Sequence, residues 1–144
     1  MPAHVHRQLV SVLASLGSFT VTMPRTPRSE IDAFVAKLER SVRRRRVTKE
    51  QPATSGRARE VVFFASTEEV IAAIGAVNDV FAWDGVHRPE DLAVVDARGD
   101  TLFAAIAHER EASLVVDDAQ LALLRAAIAD FDRYFGARYP RGRL

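Results

Sequence analysis

The densest cluster of polar and aromatic side chains in the chain is the segment Trp83 to Asp91, WDGVHRPED. A histidine with carboxylates three positions before it and four after it can take or give a proton near neutral pH. In that chemistry Asp84 or Asp91 would orient the imidazole of His87. Arg88 beside it can hold an anion. His87, Asp84 and Asp91 are therefore the catalytic candidates of a small enzyme or ligand-binding domain, and Trp83 and Arg88 are binding candidates. No nucleophile accompanies them, because the chain has no cysteine and no G-x-S-x-G turn. The competing expectation, and the favoured one, is a connecting loop, with Gly85 and Pro89 as turn formers and Trp83 as an anchor at the core edge.

The remaining chemistry-bearing residues form weaker patterns. His4 and His6 could share a metal ion only from an extended segment, since side chains two apart diverge on a helix. No further ligands follow at a recognised spacing, so no metal site and no cofactor is expected. His108 and Glu109 fall in a strand-connecting turn. Asp96, Asp100, Asp117 and Asp118 match no calcium loop. Arg98-Gly99-Asp100 fits a hairpin turn. The seven glycines are scattered singly, which rules out a P-loop or a dinucleotide fingerprint.

Charge is the stronger signal. The net charge is only +1, yet residues 25–59 carry +7 and residues 60–118 carry −10. Arg43, Arg44, Arg45 and Arg46 run consecutively, with Arg57 and Arg59 nearby, and all six are binding candidates for an acidic partner. Nucleic acid is one such partner, and binding through Arg40 to Arg59 would weaken steeply with salt. No aromatic residue lies between Phe34 and Phe63, which argues against stacking on single-stranded bases. The bland alternative is that the two charged sections pair with each other or are solvated faces.

These residues must be positioned by secondary structure, and the hydrophobic pattern supplies it. Val5, Leu9, Val12, Leu13 and Leu16 recur at helical spacing over 3–16, and Gly17 stops the helix. Phe19, Val21 and Met23 alternate as a strand. Ser29, with Asp32 as capping partner, opens a helix that carries Ile31, Phe34, Val35, Leu38 and Val42 and closes in Arg43 to Arg46. Residues 47–59 read as an exposed loop. Residues 60–65, EVVFFA, read as a central strand buried on both faces. Ser66 with Glu69 caps the next helix. Strands at about 91–96, 101–107 and 112–116 make an antiparallel meander. Asp117 with Gln120 caps a last helix bearing Leu121, Leu124, Ile128, Phe131 and Phe135. Residues 137–144 form a basic, frayed tail.

The expected fold is one α+β domain spanning 1–144, ordered α-β-α-β-α-β-β-β-α, with a mixed five-strand sheet and about four packed helices. At 144 residues, with ordinary globular composition, one core accommodates the chain. No apolar run reaches membrane-spanning length, and the start of the chain lacks the small-residue cleavage site of a signal peptide. The absence of cysteine and the preference for arginine over lysine, 18 to 2, point to the cytoplasm of a GC-rich bacterium. The expected function is a non-catalytic protein-interaction domain that binds a protein partner through a charged face. An immunity-type inhibitor that covers a basic active site is its most concrete form. A nucleic-acid-associated protein and a small enzyme built on Trp83–Asp91 are the alternatives. A homodimer through a terminal helix is a further option.

Overall fold

Five residues of alternating character, Ser18–Thr22, form strand β1 at the middle of a six-stranded sheet in the computed structural model, which describes residues 1–49 and 58–136. Helix α1 (Ala3–Leu16) precedes β1 and helix α2 (Ser29–Lys37) follows it. Strands β2 (Val42–Lys49) and β3 (Ala58–Phe64) come next, then helix α3 (Glu68–Gly75). The meander β4 (Glu90–Val95), β5 (Thr101–Ile106) and β6 (Glu111–Leu114) leads to α4 (Asp118–Ala127) and α5 (Phe131–Phe135). The strand order is β2-β3-β1-β4-β5-β6 and every pairing is antiparallel. The chain is thus α+β, as its patterning predicts.

All five helices contribute to one core on one side of this sheet. Val5, Leu9 and Leu13 of α1, Val35 of α2, Val70 and Ile74 of α3, Leu124 of α4 and Phe131 of α5 join Phe19, Val21, Val62, Phe64, Val94 and Phe103 in a single buried cluster. The registers Phe19↔Phe64, Phe19↔Val94 and Val94↔Phe103 place those strand residues on the same face, as a period of two requires. Each such side chain contributes about 1.5–3 kcal/mol by leaving water. Gly17 lets α1 turn directly into β1, because a Cβ there would run into the carbonyl oxygen of Val95. The Ser66 hydroxyl donates to the Gly17 carbonyl at 2.6 Å and ties this corner to the start of α3. In the turn between β4 and β5, Gly99 supplies a φ of +87°, and the Asp96 carboxylate accepts from the backbone N–H groups of Arg98 and Asp100.

Several sequence expectations are corrected. The helix expected to run into Arg46 ends at Lys37, and a 3-10 turn at Glu39–Ser41 delivers the chain into β2. The arginines are therefore strand residues, and the sheet has six strands rather than five. Val42, Val47 and Thr48 favour a strand, and arginine is indifferent enough to follow. The sheet is antiparallel throughout rather than mixed. β3 and β4 lie on either side of β1, so two strands joined through α3 run the same way without being neighbours. β3 is not the doubly buried strand expected, since Val62 and Phe64 are buried while Val61 and Phe63 are only half-buried. The last helix is broken: Asp130 sits at φ 57°, a left-handed conformation that Asp tolerates, and separates α4 from α5. Thr67, not Ser66, caps α3, whereas the Asp117–Gln120 capping box forms as expected. Of the loop expected at 47–59, residues 47–49 and 58–59 are strand and 50–57 lie outside the described residues. The tail 137–144 and Arg57 also lie outside the described residues.

Candidate functional site

With the helices on one side, the other side of the sheet carries no helix among the described residues, and Thr20 at its centre is buried between its neighbours. One unbroken row of Cα partners crosses it: Arg44, Phe63, Thr20, Ala93, Ala104 and Ser113, one residue from each strand. Beside it toward one end lie Arg46, Val61 and Thr22, and at the far edge Ile106 and Glu111. Val61, Phe63, Ala93, Ala104 and Ile106 are half-buried and take no part in the core cluster. Among the described residues they thus form a second, uncovered apolar surface, edged by charge. Its middle is low, because Thr20, Ala93, Ala104 and Ser113 are all small.

The charge on this face is polar in arrangement. Arg44 and Arg46 stand exposed on edge strand β2, and Glu111 stands exposed on β6 at the opposite edge. Arg44 places its guanidinium 4.2 Å from the Phe63 ring centroid, a cation–π contact that fixes its direction. Among the described residues, Arg46 and Glu111 form no ion pair. Sheet order converts the charge asymmetry of the sequence into a spatial one, since β2 lies in the basic section and the meander in the acidic one. Four arginines on an edge strand also discourage strand addition by other chains.

The five described basic candidates, Arg43 to Arg46 and Arg59, do not act as one patch. Arg45 points to the helix side, where it bonds Glu60 at 2.6 Å and Glu39 at 3.0 Å. These carboxylates, Glu60 first, hold its proton more firmly than usual. Arg59 pairs with Glu90 and borders, with Arg25, Arg28, Arg45, Asp32 and Glu60, a shallow cavity of about 360 Å³. Two of these arginines are neutralised by these acids, which makes the cavity a poor anion site. Arg43 borders another open cavity, of about 430 Å³, with Ser15, Ser66 and Thr67.

The Trp83–Asp91 segment is placed as a loop. Trp83 is fully buried in the core, with Phe34 edge-on at a centroid distance of 5.6 Å. The His87 ring is exposed, and its Nδ1 lies 3.2 Å from Glu30 rather than near Asp84 or Asp91. The Asp84 carboxylate accepts from the Val86 N–H inside its own turn. Asp91 adopts φ 50° and gives its N–H to the Trp83 carbonyl. Arg88 is half-buried with no ion-pair partner among the described residues, and neither cavity includes any of residues 83–91. The histidines at the start diverge on α1: His4 is exposed, whereas His6 is buried with Nε2 at 3.1 Å from the Ile74 carbonyl. Burial lowers the pKa of His6. Among the described residues no group of three or more potential ligands could hold a metal ion, and no helix is long and apolar enough to cross a membrane.

The open face is not legible as a site in the sequence, although its signal is there. Alternate residues of VVFF and of VRRRRV can serve two faces of one hairpin once both segments are taken as strands. No protein-family model, curated protein or solved structure matches the chain.

Proposed function

We propose that this chain is a non-catalytic protein-interaction domain of the bacterial cytosol that binds a protein partner through the open, charge-edged face of its sheet. The observation that carries this reading is the row from Arg44 to Ser113. It offers partly exposed apolar side chains on a rigid sheet, a low centre, and opposite charges at its two edges. Such a surface provides area by burial and orientation by charge, the two ingredients of specific association. An immunity-type inhibitor is one form that such a domain takes.

Two alternatives have less support. A nucleic-acid reading would use Arg44, Arg46 and Phe63, but among the described residues this face presents one aromatic ring and ends in Glu111, which repels a phosphate backbone crossing the sheet. A catalytic reading at His87 has neither of the two described cavities beside it and no cysteine nucleophile in the sequence.

The test is affinity capture from the source lysate with the wild type and with the Arg44→Glu/Arg46→Glu variant, each with and without nuclease. Recovery of a protein that survives nuclease and is lost with the variant is expected. Recovery of nucleic acid alone, or equal capture by both proteins, contradicts the reading.

A further inference from the structure

We infer that the partner of the open face is a second copy of this chain, the two sheets stacking face to face about a two-fold axis parallel to the strands. The inference rests on the protein-interaction reading above and names its partner. Charge selects the axis. A two-fold axis across the strands would lay β2 on the partner's β2 and set arginines against arginines. An axis along the strands exchanges the edges, so β2 lies over the partner's β6 while position along the strands is kept.

The register makes this arrangement self-complementary. Arg44 and Ser113 end the same cross-sheet row. β2 and β6 run in opposite directions, because five antiparallel pairings separate them. Arg46, two residues after Arg44, and Glu111, two residues before Ser113, are therefore displaced toward the same end. In the stacked pair each Arg46 meets the partner's Glu111, twice by symmetry. Relief matches as well. β3 lies over the partner's β5, so Phe63 with the Arg44 guanidinium upon it, the tallest feature of the near half, meets the small Ala104 of the far half. Thr20 of β1 lies over Ala93 of β4, small on small, and Val61 of β3 over the partner's Ile106. The pairing of Phe63 with Ala104 lets two aligned sheets close toward their usual separation of about 10 Å.

Six strands at the usual spacing, over the length of the shared rows, give an interface of roughly 500 Å² of plane per partner. This is at the low end for specific association, so dissociation in the micromolar range is expected.

The experiment is sedimentation velocity over a concentration series with the wild type, Arg46→Glu, Glu111→Arg and a mixture of the two variants, with circular dichroism confirming the fold of each. Each single variant sets like charges against each other in its own dimer. In the mixed dimer the two altered positions face each other at one contact and the two native residues face each other at the other, so opposite charges meet at both. The wild type should dimerise, each variant alone should associate roughly tenfold more weakly, and the mixture should recover wild-type association. Failure of the mixture to recover overturns the proposed stacking. A wild type that stays monomeric to millimolar concentration overturns the second copy. If that monomer still captures a lysate protein through Arg44 and Arg46, the interaction reading stands without it, and if it captures none, both fall.

Discussion

The Arg44 guanidinium lies 4.2 Å from the ring centroid of Phe63, its direct partner in the β2–β3 ladder. The contact shows that the even-numbered arginines of β2 rise from the side of the sheet away from the helices. Arg45, between them, turns to Glu39 and Glu60 on the helix side. One consecutive run of arginines therefore faces both sides of the sheet. A double-mutant cycle with Arg44→Ala and Phe63→Leu, read by denaturant unfolding, should give a coupling of about 0.5–1 kcal/mol, the usual strength of an exposed cation–π pair. Additive effects would contradict the pairing.

Gly17 should tolerate substitution far less well than Gly99. A Cβ at Gly17 meets the Val95 backbone, which cannot yield without disturbing β1 and β4 together. Around Gly99 there is open space, and only the positive φ opposes a side chain. Gly17→Ala should cost about 2–3 kcal/mol by overpacking, and Gly99→Ala about 1 kcal/mol by strain. Thermal or urea unfolding of the two variants checks the order.

His6 makes stability depend on pH. Burial holds its pKa below the ordinary value of 6.5, so the unfolded chain binds a proton before the folded one does. Its contribution is fully present above the unfolded pKa and is lost as pH falls from there toward the lower folded pKa. Unfolding free energy should therefore decline as pH drops below about 6.5. His6→Gln, which retains a donor toward the Ile74 carbonyl, should flatten that part of the profile. An unchanged profile in the variant would assign the dependence to other groups.

His87→Ala should change little. The ring is 71% exposed and its Glu30 partner 70% exposed, and a polar contact of that kind is worth about 0–1 kcal/mol. Unfolding free energy should stay within about 0.5 kcal/mol of wild type, and partner capture should be unaffected. Loss of capture would move the site to the Trp83–Asp91 loop.

Much of the scaffold is readable because its pattern has one physical solution. Val5, Leu9, Val12, Leu13 and Leu16 can share a face only on a helix, and the β4–β6 meander is announced by its turns. Arg43 to Arg46 mislead because a run of identical polar residues has no period, so strand and helix are not distinguished by it. The partner strand decides the matter, through a long-range pairing with VVFF that local propensity does not contain. Asp130 breaks a helix whose apolar spacing is continuous, since spacing does not record a single left-handed residue. The candidate site is hidden for a related reason. Thr20, Ala93, Ala104 and Ser113 come from four separate strands, and only the register brings them into line.

The most direct test of the open face as the interaction surface uses the absence of cysteine from the sequence. Ser113→Cys places one thiol at the end of the cross-sheet row, and Ser11→Cys places one on the exposed side of α1. Maleimide labelling is then timed for each, first in dilute purified protein and then with the partner or at high protein concentration. Protection of Ser113→Cys on association, with Ser11→Cys labelled at an unchanged rate, is the predicted result. Equal labelling of Ser113→Cys in both states, under conditions where association is complete, would contradict it.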